Sequence, residues 1–283
     1  MADTRTPTQG ILTASDGTPL RTQQWVPAGP PKALVVITHG HGEHSSRYVH
    51  VGAALAAAGY AAAAYDLRGH GQSGGPRGHT PSYAQLMADA QQVFAWAVGA
   101  LPAPKTFLYG HSMGGQITLA FALERRPPVA GVVVSAPWLR LKFVPPAWKV
   151  QLGRALRQIW PGLTLSSGLD KSQPLAHDTA WLNSLPELNL THTQISARLG
   201  ADMLDHATDV LARAGTFQYP LLLLHGGDDQ IMDPAGSREF YAAAGSADKT
   251  LKVYPELYHE IHNEHAAHRA AVLADLVAWL DAH

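Results

Sequence analysis

The stretch TFLYGHSMGG (residues 106–115) begins as an apolar strand and ends as the first turn of a helix that continues through QITLAFALE (116–124). Between the two, Gly110-His111-Ser112-Met113-Gly114 is G-x-S-x-G, in the strand–turn–helix context that gives this pattern a chemical meaning. The glycines have a steric reason. A sharp strand-to-helix turn crowds the positions two before and two after the serine, where a Cβ would clash. The turn lifts the Ser112 hydroxyl out of the sheet, and the helix N-terminus behind it favours developing negative charge. The rival reading is a glycine-rich turn with an incidental serine. Met113 and Gly115 also fit the motif, which favours a nucleophile.

On either side of this stretch, strands alternate with helices. ALVVIT (33–38), YAAAAYD (60–66), VAGVVVSAP (129–137), YPLLLLHG (219–226) and TLKVYP (250–255) read as strands. Residues 47–58, 82–98 and 264–281 carry helical patterns, and Gly59 stops the first. Residues 10–26 alternate around Asp16-Gly17, a hairpin signal. This is an α/β chain with a mostly parallel central sheet and helices on both faces. Residues 138–218 show no obvious strand and read as a helical cap insertion, with 1–137 and 219–283 forming the core.

Composition narrows the chemistry. The 283 residues are 46% hydrophobic and 15% charged, with net charge -1, so no global charge recruits nucleic acid. There is no cysteine, which excludes disulfides, thiolate metal sites and a cysteine nucleophile. MADTRTPTQG has no apolar h-region, and no run approaches the length of a membrane span. A cytoplasmic setting is expected.

A serine nucleophile needs a base, and the base needs an orienting acid. After Ser112, LLLLHGGDDQIMD ends a strand in Asp228, Asp229 and Asp233, and VYPELYHEIH ends the next strand at His259 and His262. Spacing from Gly226 favours Asp229. Asp228 then reads as a turn carboxylate, and Asp233 as a helix N-cap before Pro234. His259 comes first after its strand and reads as the base. His177, His192, His206 and His268 read as surface residues.

One stretch points elsewhere. VVITHGHGEHSSRY (35–48) places His39, His41, Glu43 and His44 in H-x-H-x-E-H spacing after a strand, close to the H-x-H-x-D-H of metal-dependent hydrolases. The acid is Glu rather than Asp, and a metal site would leave G-x-S-x-G and the acid–histidine pair as coincidences. HEIHNEH (259–265) also misses H-E-x-x-H, because Asn263 stands at the second histidine position. The better reading is a tight turn valued for its backbone. YDLRGHGQSGG (65–75) is not spaced as a phosphate-binding G-x-G-x-x-G, and Asp66 and Arg68 read as residues that hydrogen-bond the loop.

HGHGEHSSRY, YDLRGHGQS, GHSMGG, SAPWL, HGGDDQIMD and LYHEIH together resemble the α/β-hydrolase superfamily, and within it the monoacylglycerol lipase and lysophospholipase group. The pieces run in family order over nearly the whole chain, and TQISARLG (193–200) matches text of the family's cap. The resemblance implies the α/β-hydrolase fold, a Ser112–His259–Asp229 triad, and an oxyanion hole built from the backbone N–H groups of His41 and Met113. It implies that Glu43, Arg47 and His262 line the polar end of a pocket taking glycerol. It implies a lipid or ester substrate, with no cofactor and no metal. LNSLPELNLTH (182–192) lacks the D-P-L usual there, so cap details are not carried over.

The expected reaction is ester hydrolysis through an acyl-enzyme, with monoacylglycerol as the leading substrate. Lysophospholipids, simple esters and thioesters are the alternatives. A non-catalytic ligand-binding protein and a metal-dependent hydrolase are the rivals from other classes. In the insertion, residues 138–171 carry Arg140, Lys142, Lys149, Arg154, Arg157 and Lys171 against one acid, Asp170. Trp148, Leu152, Leu156, Ile159 and Trp160 recur at helical spacing after Pro146. Two readings stand: a lid packed on its own domain, or a lid that also touches anionic lipid surfaces.

Overall fold

The computed structural model describes residues 6–143, 145–168 and 174–283. The antiparallel hairpin β1 (Thr8–Thr13) and β2 (Pro19–Trp25) turns at Asp16-Gly17, where Gly17 takes a positive φ of 85°. The strands β3 (Leu34–Thr38), β4 (Ala61–Tyr65), β5 (Thr106–His111) and β6 (Gly131–Ser135) follow. Two further strands precede the last sheet pair: β7 (Thr164–Ser166) and β8 (Gln194–Ser196), then β9 (Leu221–Gly226) and β10 (Lys249–Tyr254). Eight strands form one sheet in the order β1-β2-β4-β3-β5-β6-β9-β10, parallel from β4 to β10.

The helices are α1 (Val49–Ala57), α2 (Tyr83–Ala100), α3 (Met113–Arg125), α4 (Ala147–Ile159), α5 (Thr179–Ser184), α6 (Ala197–Ala212), α7 (Pro234–Ala243) and α8 (Ala266–Ala282). Both faces of the sheet are covered, which is why its strands read as continuous apolar runs. Along β3, Leu34 and Val36 pack into one core with Leu86, Ile117 and Met203, while Val35 and Ile37 pack into the other with Val51, Leu55 and Leu276. The two-residue period of the strand assigns each side chain to its face.

The insertion differs from expectation in two ways. It contains the short antiparallel pair β7–β8, whose three-residue strands are too brief to show alternation. It is also not uniform. Leu199, Met203, Ala207 and Val210 of α6 lie in the same core as α3, whereas α4 buries no residue. Asp170 and Lys171 lie outside the described residues. Among the described residues, no helix is long and apolar enough to cross a membrane.

Candidate active site

Ser112 stands between β5 and α3 with φ 54° and ψ −120°, a strained backbone for a residue with a Cβ. Its neighbours impose this. A Cβ on Gly110 would lie 2.4 Å from the Gly114 carbonyl oxygen, and one on Gly114 would lie 2.2 Å from that of Thr38. The Ser112 N–H donates to Ser135 O at 2.9 Å, which anchors the turn to β6. Met113 opens α3, so its N–H has no acceptor within the helix.

Asp229 and His259 come from the loops after β9 and β10. Asp229 Oδ2 accepts from His259 Nδ1 at 2.7 Å, and Oδ1 accepts the N–H groups of Ile231 (2.8 Å) and Met232 (2.9 Å). Burial would raise the Asp229 carboxyl, yet His259 and His225 beside it hold it well below the usual carboxylate range. Burial likewise opposes charge on His259, but the Asp229 carboxylate outweighs it, with help from Glu260 and Glu43, and the net shift is upward. The His259 ring lies 4.7 Å from that of His111, the residue before Ser112. The serine, base and acid of the sequence reading are thus all at the carboxyl edge of the sheet. Asp228 is exposed, and Asp233 caps α7 by accepting from Ala235 N at 2.9 Å.

The histidine-rich stretch folds as a turn. His39 Nδ1 donates to Gly40 O (2.7 Å) and its Nε2 accepts from Leu67 N–H (2.9 Å), so neither nitrogen is left for a ligand. Among the described residues, no group of three or more His, Cys, Asp and Glu could hold a metal ion. Gly42 takes φ +74°, and a Cβ there would sit 2.1 Å from His192 O. A Cβ at Gly40 would lie 3.0 Å from Ser112 Cβ, so this turn passes directly beside the serine.

Glu43 and Arg47 brace that turn. Glu43 Oε1 accepts from Gly40 N–H (2.5 Å) and Tyr48 O–H (2.7 Å), and its Oε2 from Arg47 Nε (3.2 Å). Arg47 also donates to Glu260 Oε2 at 2.6 Å, tying the turn to the His259 loop. This bracing was not foreseen from sequence, where both were placed at a pocket wall. His262 is different: it is fully buried, stacks on Tyr48 at 4.9 Å, and neither ring nitrogen has a hydrogen-bond partner.

The insertion is fastened to each part of the site. Trp138 N–H donates to Ser112 O (2.9 Å), Glu260 N–H to Leu175 O (2.7 Å), and His192 N–H to Gly42 O (2.9 Å). His177 and His268 are exposed as expected, whereas His192 and His206 are half-buried; His177 also binds the buried Glu264, whose Oε1 accepts from Tyr258 N–H. His225 was missed. It ends β9 inside a stretch read only for its aspartates, yet its Nε2 lies 3.2 Å from Asp229 Oδ2. The i, i+4 spacing to Asp229 was the available signal.

Residues 29–266 match the family model described as serine aminopeptidase, S33. The chain belongs to the α/β-hydrolase superfamily, in its monoacylglycerol lipase group. A monoacylglycerol lipase of Mycolicibacterium smegmatis is 30% identical, with 92% of this chain and 91% of that protein covered. The crystal structure of a monoacylglycerol lipase from Paleococcus ferrophilus superposes with a TM-score of 0.82 at 34% identity, covering 92% of this chain and 99% of that one. An uncharacterized abhydrolase domain-containing protein of Dictyostelium discoideum is 37% identical over 90% of this chain, which spans only 27% of that protein's length. By its family and fold, this hydrolase is a serine ester hydrolase.

Proposed function

We propose that this hydrolase cleaves monoacylglycerols to fatty acid and glycerol, with Ser112 as nucleophile, His259 as base and Asp229 as orienting acid. The observation that carries this is the strained Ser112 turn at the same sheet edge as the 2.7 Å Asp229–His259 bond. Ser112 Oγ attacks the ester carbonyl while His259 Nε2 takes its proton. Asp229 keeps the Nδ1–H tautomer and stabilises the imidazolium. The N–H groups of His41 and Met113 hold the oxyanion, where one such donor contributes about 2.7–4 kcal/mol. His259 then returns its proton to the glycerol leaving group and activates water against the acyl-enzyme.

Glu43, Arg47 and His262 form the polar end that receives the glycerol. Glu43 and Arg47 act through the turn they hold. His262 offers unpartnered ring nitrogens to the glycerol hydroxyls.

The helix α4 supports lipid contact. Trp148 (64%), Leu152 (49%), Ile159 (82%) and Trp160 (62%) are exposed, while Arg154 and Arg157 turn onto Asp205 and Asp202 of α6. These apolar side chains face outward, while both arginines of α4 are paired on α6. That favours peripheral contact with a lipid surface over a lid packed on its own domain, at a cytoplasmic membrane face.

A panel of monoolein, lysophosphatidylcholine, triolein, a long-chain thioester and p-nitrophenyl butyrate tests the substrate. Monoolein should be turned over fastest, and Ser112→Ala should fold normally and lose nearly all hydrolysis. A preference for triolein or lysophosphatidylcholine would reject the proposal. So would an active Ser112→Ala variant.

A further inference from the structure

We propose that His225 is a positioning residue for ester hydrolysis, a second imidazole set against the same carboxylate oxygen that His259 binds; this rests on the Ser112–His259–Asp229 reading. His225 is fully buried at the end of β9. Its Nε2 lies 3.2 Å from Asp229 Oδ2 and 3.3 Å from Met232 O. Both neighbours are acceptors, so Nε2 carries a proton. Its Nδ1 lies 2.7 Å from Ser237 Oγ, itself fully buried on α7. The Ser237 hydroxyl pairs with that nitrogen, so both ring nitrogens are engaged and the ring is held with its Nε2–H on Met232 O and beside the carboxylate.

The consequence is chemical as well as structural. Oδ1 is held by two backbone N–H groups, so Oδ2 is the oxygen that answers to His259. His225 Nε2–H donates to Met232 O, and the Met232 N–H in turn holds Oδ1, so the imidazole fixes the backbone on which the carboxylate is seated while lying 3.2 Å from Oδ2. A polarised N–H 3.2 Å from Oδ2 also offsets part of the negative charge that would otherwise stabilise the His259 imidazolium. His225 therefore does two things: it aims Asp229, and it limits how basic His259 becomes. The other titratable groups facing this pair are His111, His262, Glu260 and Glu43, and none of them touches Oδ2 within hydrogen-bond distance among the described residues. A buried histidine that merely fills the core would share the burial. It would not need its second nitrogen engaged by another buried side chain.

The test uses the full chain and a water-soluble p-nitrophenyl ester, which keeps interfacial effects out. His225→Leu should lower kcat about tenfold with little change in KM. That is far short of the roughly 10⁴-fold loss when a triad acid becomes an amide. The acidic limb of kcat/KM should move to higher pH, because an Asp229 relieved of the nearby N–H raises His259. His225→Gln places an amide N–H near the position of Nε2 and should recover most of both. A folded Leu variant with an unmoved acidic limb overturns the proposal, as does a Gln variant no better than Leu. If His225→Leu does not fold, Ser237→Ala should give a smaller shift in the same direction, and no shift there overturns it. In the wild-type protein labelled with ¹⁵N-histidine, His225 should be protonated at Nε2 and not at Nδ1 at neutral pH; the reverse tautomer also overturns it. That last result does not depend on turnover. Loss of the esterase reading, seen as an active Ser112→Ala variant, is therefore distinguishable from loss of this one.

Discussion

Around the sheet edge, charged groups are buried in mutual contact, whereas in α4 above it the large apolar side chains face solvent. Arg47 lies buried between Glu43 and Glu260, and Asp229 between two imidazoles and two N–H groups. In α4 no residue is buried, and its arginines spend their charge on α6. The same residue types thus serve opposite ends. Buried charges fix geometry only when every partner is present, because an unpaired one is costly. An exposed apolar stripe finds no partner among the described residues, which is the setting of the proposed lipid contact. The lower region has its charges paired, and the upper one leaves its apolar face open to solvent, as the proposed lipid contact requires.

The largest effect should follow from breaking the paired region at its acid. Asp229→Asn keeps the shape but presents an amide to His259, which favours the wrong tautomer. kcat should fall by about 10⁴-fold. Asp228→Asn, on an exposed side chain, should change little. Asp233→Ala removes only the α7 cap and should cost about 1 kcal/mol of stability with the activity kept. Steady-state kinetics and melting curves on the three variants separate these roles. A dead Asp233 variant would reassign the acid.

Acid should attack the lower region next. Burial pushes His39 down to about 4, His41 to about 3 and His50 to about 4, from an ordinary 6.5. The folded state keeps these rings neutral while the unfolded chain protonates them below about pH 6.5. Stability is therefore lost as pH falls from about 6.5 towards 4, by up to about 1.4 kcal/mol per pH unit for each ring. Glu43, whose carboxyl is raised by burial and by Glu260, opposes the trend at the acid end of this window. Activity should fade earlier, since His259 must be neutral to act as base and its own shift is upward. Melting temperature and kcat/KM measured over the same pH series check both halves. A melting temperature that is flat from pH 7 to 4.5 contradicts the first, and an acidic limb below 6.5 the second.

The two regions also differ in how far they could be read from sequence. Ser112, Asp229 and His259 sit at ends of strands whose apolar runs are long enough to recognise, so a local motif and chain order were enough to bring them together. What pairs side chains across the fold was not legible. The bond from Arg47 to Glu260 spans 213 residues, and His225 was hidden because a strand-end histidine looks like any other buried one. In the insertion, the helical period of α4 was visible, but a stripe has two possible outcomes. Helical spacing says which side chains share a face and not whether that face meets protein or solvent. The basic residues were read only as flanking the stripe, and the pairing of Arg154 and Arg157 with Asp205 and Asp202, 45 to 51 residues later, could not be seen from spacing.

The smallest effect should come from the exposed stripe, and it separates the two sources of lipid attraction. Trp148, Leu152 and Ile159 recur along one face of α4, with Trp160 just beyond its end. Burying one such side chain in a lipid interface contributes about 1.5–3 kcal/mol. Replacing Trp148 or Leu152 by Ser should therefore weaken vesicle sedimentation about tenfold for each, and lower the rate on monoolein in vesicles. Hydrolysis of a soluble p-nitrophenyl ester should not change, because both side chains face solvent. Charge should matter less. Among the described residues, Lys142 and Lys149 are the cations of this segment with no acidic side chain within 4 Å, whereas Arg140, Arg154 and Arg157 are each paired. Two lysines near an anionic surface contribute about 1 kcal/mol each at low salt, and less as salt screens them. Binding to anionic vesicles should thus persist in high salt with a modest loss. Complete release by salt would mean that the cations dominate and the apolar stripe does not insert. Undiminished binding of the Trp148→Ser, Leu152→Ser double variant would mean that α4 is not the contact at all.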